Sequence, residues 1–141
     1  MNNIELEKKI KNIIAELSDK KGFVSSVEVL MKLDYLSKSD YEQWRHGRVA
    51  YLEKVCKTNL SKLKTINNFV RQICIQNKYK LSETFYKKFG QGKHELKFSK
   101  SGNTNIERAY KTHYVNIYKV EKLNKEKKQA DITPAGNSVL I

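Results

Sequence analysis

The sequence predicts an α+β chain that is mostly helical, with one basic β-hairpin and a closing C-terminal helix. Three observations carry that expectation. Apolar residues recur at helical spacing through most of the first 77 positions. The period then drops to two around Phe85, Phe89, Leu96 and Phe98, with Gly90 and Gly92 between the two runs. Three Ser/Thr residues stand three positions ahead of a glutamate, at Ser25–Glu28, Ser39–Glu42 and Thr104–Glu107, which is the pattern that opens a helix. With 141 residues and 39% hydrophobic content, there is material for one core and not for two.

The first helix is expected over Asn3 to Lys20. Ile4, Ile10, Ile13, Ile14 and Leu17 form its stripe, Leu6 falls off it, and Gly22 ends it. A short second helix follows Ser25, with Val27, Leu30 and Met31 inward, and a third follows Ser39 and stops near Gly47. Tyr51, Leu52, Val55 and Cys56 suggest a fourth short helix. The longest helix after the first is expected from about Asn59 to Asn77, buried along Leu60, Leu63, Ile66, Val70 and Ile73. The hairpin occupies Phe85 to Phe98, and a last helix runs from Thr104 to about His113 or Tyr114. Residues 1–116 read as a single domain, and 117–141 as a charged, flexible tail.

Charge is the most informative feature. The net charge is +13, yet residues 1–53 carry nine basic and nine acidic side chains. Residues 54–106 carry twelve Lys or Arg against only Glu83 and Glu95, and no acid lies between Lys54 and Ser82. A solvated surface mixes both signs. A confined cationic stretch suggests a face that meets a polyanion.

On a helical wheel, the side of the long helix opposite its apolar stripe shows Ser61, Lys64, Asn68, Arg71, Gln72 and Ile75, with Lys62 and Lys78 nearby. Arg and Lys suit guanine edges, Asn and Gln suit adenine, and an aliphatic group meets the thymine methyl. Lys87, Lys88, Lys93 and Lys97 lie on or near the hairpin. These residues are the expected nucleic-acid-binding set, with DNA favoured over RNA. Tyr79, Phe85, Tyr86 and Phe89 are interleaved with lysines, which would suit stacking of unpaired bases. For Phe85 and Phe89 a place in the hairpin core is the stronger expectation.

A polar helix followed by a basic hairpin is similar to the layout of winged-helix domains over roughly residues 4–99. That resemblance implies a helix in the major groove and a wing along the backbone or minor groove. Two further segments, Trp44–Glu53 (WRHGRVAYLE) and Phe98–Gly102 with Ile106–Glu107 and Thr112–Tyr114, resemble motifs of a family of small, uncharacterised bacterial proteins. The likeness spans about Gly22 to Val115 and implies no activity. Within these segments Arg48 and Glu53 suggest a buried pair. Ser99–Gly102 reads as a glycine turn, with a backbone nest for an anion as the alternative.

Other chemistry finds little footing. His46, His94 and His113 have no partners at zinc-ligand spacing, and the basic half holds no carboxylate cluster for magnesium. No phosphate-binding glycine loop and no nucleophile elbow is present. Cys56 and Cys74 fall on apolar helix faces and read as core thiols. The expectation is therefore a bacterial-type cytoplasmic DNA-binding protein, non-catalytic, without cofactor or metal, acting in transcription regulation or as an accessory factor. The first helix serves as core or as the seam of a homodimer, and no segment is apolar enough to enter a membrane. The alternative is a protein-interaction module, or an inhibitor, that docks an acidic partner surface.

Overall fold

The computed structural model describes residues 2–90 and 94–132, with the side chains of 129–132 left aside. It is a mixed helix-and-sheet fold. In chain order the elements are α1 (Asn3–Lys21), β1 (Phe23–Ser25), α2 (Ser26–Lys32), α3 (Lys38–Arg45), a 3-10 turn (Leu52–Val55), α4 (Leu60–Gln76), β2 (Lys80–Glu83), α5 (Thr104–Lys111), β3 (Thr112–Val115) and α6 (Ile117–Ile132). The three strands form one antiparallel sheet in the order β1-β3-β2.

The long helices form where the apolar spacing puts them. Leu6, Ile10, Ile13, Ile14 and Leu17 of α1 are buried, while Ile4 is exposed. Leu6 therefore belongs to the stripe and Ile4 does not, because 6, 10, 13 and 17 recur at intervals of three and four. Asn59 caps α4, its side-chain oxygen accepting from the Lys62 N–H at 2.8 Å, and Asn77 closes it. Leu63, Ile66, Val70, Ile73 and Cys74 face the core. Leu60, which the wheel also put in the stripe, is exposed at the first turn.

Several expected elements are corrected. The cap of α3 is Ser37, which accepts from the Asp40 N–H at 3.0 Å, not Ser39. The fourth helix is a single 3-10 turn. Among the described residues the hairpin reduces to one bridge, Lys87 with Glu95, flanked by two backbone bonds, Lys88 N–H to His94 O and Leu96 N–H to Tyr86 O. The sheet lies elsewhere. Thr112–Val115, expected at the end of a helix, is its central strand, paired on both sides. Val24 and Tyr114 lie opposite each other in the register and turn inward. The segment expected to be a tail is helical over Ile117–Ile132.

Gly22 makes the α1–β1 corner. Its φ is +79°, and its N–H donates to Ser18 O at 2.9 Å, closing α1. A Cβ built there would stand 2.6 Å from Cγ2 of Val120 on α6. Gly22→Ala therefore combines left-handed strain with a clash against a branched side chain. We expect it to lower unfolding free energy by about 2 kcal/mol in urea titration. A loss below a few tenths would mean that α6 is not docked at this corner.

Candidate nucleic-acid interface

The α4 helix carries no Asp or Glu, and its outer side chains reach solvent. Ser61, Lys64, Asn68, Arg71, Gln72 and Ile75 are all exposed. They recur at three and four positions and so share one side of the helix. Lys62 is half-buried at the first turn. Lys78 is exposed just past the end of the helix in a left-handed conformation, φ +61°, with its N–H bonded to Ile75 O. Among the described residues no carboxylate lies within ion-pair distance of Lys62, Lys64, Arg71 or Lys78. The ion pairs there are Lys21–Glu28, Lys32–Glu16, Lys111–Glu95 and Lys119–Asp19. Arg71 lies beside the Tyr114 hydroxyl of the central strand. Burial raises the pKa of that phenol and so disfavours its ionisation, and Arg71 partly offsets the rise.

The described hairpin residues form a second group, tied to α3. The carbonyl of Lys87 accepts from Arg45 Nε at 3.2 Å, and the stem of Lys88 covers Gly47. Lys97 is exposed and its ammonium donates to Lys100 O, while its own carbonyl accepts from the Trp44 indole at 2.9 Å and from the Leu52 N–H. Lys93 lies outside the described residues.

Phe85 and Phe89 depart from the core placement expected of them. Both are exposed, whereas Tyr86 is buried against Trp44, Phe98 and His113. Arg45 sits 4.2 Å from the Phe89 ring centroid and Lys111 lies 5.4 Å from that of Phe85.

The two signature-like segments meet in one core network. Trp44 packs on Phe98, and Phe98 stacks on Tyr110 at 5.0 Å between centroids. At Ser99–Gly102 the Gly102 N–H donates to the Ser99 hydroxyl, and Glu107 is bound just at the start of this turn. Its carboxylate accepts from the N–H groups of Phe98 and Ser99 at 3.0 and 2.8 Å and from the Ser99 hydroxyl at 2.6 Å. Glu107 thus anchors α5 to this turn instead of closing a capping box, and Asn103 caps the helix. The expected Arg48–Glu53 pair does not form. Arg48 is exposed and bonds Gln43, while Glu53 accepts from the Tyr110 hydroxyl at 2.7 Å. Burial raises the pKa of the Glu53 carboxyl and so disfavours its ionisation, opposed by that hydrogen bond.

His113 stands on β3, not on a helix. It stacks on Phe23 at 5.4 Å, and its Nε2 lies 2.9 Å from the Tyr86 hydroxyl. Burial lowers its pKa and nearby Glu28 partly opposes this. The neutral ring is favoured by folding, so the unfolded chain takes up the proton first. His113 therefore lowers stability progressively as pH falls below its ordinary value of about 6.5. Glu53, whose carboxyl pKa is raised by burial, acts in the opposite sense at lower pH, so the comparison must be made between variants. We expect Tm to fall less between pH 7 and 5.5 in His113→Gln than in the parent; equal falls would remove His113 as the cause. Both thiols are pushed up to about 12 by burial, which makes them poor nucleophiles at neutral pH.

Among the described residues no group of three metal-ligating side chains occurs, and no helix is long and apolar enough to cross a membrane. The wheel missed residues that border the α4 face. Leu60 begins it, and Asn105 and Ile106 of α5 and Lys54 of the 3-10 turn line hollows beside it. Only the packing of α5 on α4 brings them there, and no periodicity in sequence signals that. No family model, curated protein or solved structure matches this chain.

Proposed function

We propose that this protein binds nucleic acid, double-stranded DNA in preference to RNA, through the outer face of α4, as a non-catalytic accessory or regulatory factor. The observation that carries the reading is an acid-free helix whose Lys64, Asn68, Arg71 and Gln72 share one exposed side. An ordinary solvated helix face gains stability from Glu–Lys pairs, and this one has none. Lys and Arg can meet phosphates or guanine, and Asn and Gln can read adenine.

The order of elements supports a winged-helix-like docking. A helix, a first strand and further helices lead to α4, and two later strands return to the first through an antiparallel sheet. The α3 segment and the 3-10 turn are inserted before α4, and the basic loop with α5 stands where a simple wing would connect β2 to β3. Exposed Leu60 and Ile75 on the same helix favour a second reading, an acidic protein partner that also covers apolar surface.

Fluorescence anisotropy with random duplex, single strand and RNA, each at two salt concentrations, separates the readings. About five phosphate contacts give a slope of log K against log salt near −4.5 for duplex. Absence of binding to all three at about 50 mM salt would overturn nucleic-acid binding and leave the protein partner.

A further inference from the structure

We infer that the cleft between α4 and α5 is a nucleotide site that takes an amino-bearing base. The cleft has a volume of about 340 Å³ and is walled by the apolar side chains of Leu60, Ile106 and Ala109. That volume suits a small ligand. An adjoining hollow of about 790 Å³ shares Glu53, Leu60 and Ile106 with it and brings in Lys54 and Lys100.

The polar groups are sorted by depth. Two acceptors belong to the inner wall. One Glu53 oxygen accepts from Tyr110, and among the described residues nothing donates to the other. The Asn67 Oδ1 is buried with no hydrogen-bond partner among the described residues, an arrangement that folded proteins rarely leave unfilled. Exposed Lys64, Lys54 and Lys100 carry the charge at the rim.

Acceptors inside, apolar walls and cations outside fit one ligand chemistry: a flat heterocycle that points an amine inward and a phosphate outward. Rotation of the Asn67 amide would present its oxygen to that amine. Adenine, cytosine and guanine carry an exocyclic amine; uracil offers only its single ring N3–H. The nucleotide is either free or the unpaired end of a nucleic acid strand.

Titration calorimetry with adenosine 5′-monophosphate, cytidine 5′-monophosphate, uridine 5′-monophosphate and ribose 5-phosphate tests the site. The first two should bind at least about tenfold more tightly than the last two, because an amine can satisfy two acceptors while uracil leaves at least one unpaired and ribose phosphate leaves both. Ile106→Trp, at a partly exposed position, fills the cleft and should weaken the adenine nucleotide about tenfold or more, with Tm unchanged. Asn67→Leu should erase the preference over uridine. A duplex with one unpaired 3′-adenosine, compared with its blunt form, identifies the source. A gain in affinity that Ile106→Trp removes means a strand end, and no gain alongside free-nucleotide binding means a soluble effector. Equal binding of all four compounds, binding of none, or a Trp variant that still binds the adenine nucleotide normally would each overturn the inference. Blunt-duplex affinity is read separately, so failure of the α4 reading would leave the cleft result standing.

Discussion

The double variant Lys64→Glu/Arg71→Glu should bind random duplex about fifty- to a hundredfold more weakly than the parent at about 0.1 M salt. Each phosphate contact releases close to one counterion, which is worth roughly eightfold in affinity at that salt concentration. Loss of two contacts multiplies the factor, and two added acids push it further. The salt slope should become shallower by about 1.8. The difference should close towards about 1 M salt, where screening removes the surface charge effect. Both residues are exposed on α4, so the fold should survive. Arg71 lies near the Tyr114 hydroxyl and lowers its pKa, so Tm must be measured beside affinity. Asn68→Ala gives a contrasting result. It removes no charge and should reduce discrimination between target sequences by about 1–3 kcal/mol where the amide reads a base. A double variant with parental affinity and slope would remove α4 as the interface.

Trp44→Ala should cost about 3–5 kcal/mol of stability, a large share of the roughly 5–15 kcal/mol of a small domain. The indole is completely buried, with ring centroids 5.0 Å from Phe98 and 5.7 Å from Tyr86. Its N–H donates to Lys97 O and so ties α3 to the strand-like segment after the bridge. Truncation opens a cavity among aromatic rings and lets that segment loosen. Trp44→Phe keeps most of the volume and should lose distinctly less, since Lys97 O still accepts from Leu52 N–H. This is the sole tryptophan, so unfolding of the alanine variant is followed by circular dichroism. A loss under about 1 kcal/mol would show that neighbouring rings refill the site, and would deny Trp44 its anchoring role.

What could be read from sequence and what could not divides along a physical line. The span of α4 was legible to within a residue because seventeen positions give nearly five turns of periodicity and both flanking asparagines prefer cap positions. Its outer face followed from the same geometry. The sheet was not legible. Strands of three and four residues hold at most two alternations, and Thr112–Val115 follows directly on α5 with no breaker between them. The burial of Tyr86 and exposure of Phe85 and Phe89 depend on which way the loop turns over Trp44, which local pattern does not encode. Glu107 shows the same limit. Its spacing from Thr104 matches a capping box, yet two backbone N–H groups and a hydroxyl from Phe98 and Ser99 offer a charged acceptor more than one helix terminus does.

The sequence by itself determined the charge: a neutral first third, a cationic middle, and a long helix with no acid on it. Those are properties of composition and of a 3.6-residue period, and they hold however the rest of the chain packs. Tertiary structure alone decided that the backbone at Lys87 and Lys97 is tied to α3, that α5 closes a cleft beside α4, and that Glu53 and Asn67 form its wall. Contacts between segments separated by forty or more residues arise from packing one core at full density, and no local window of sequence contains both partners.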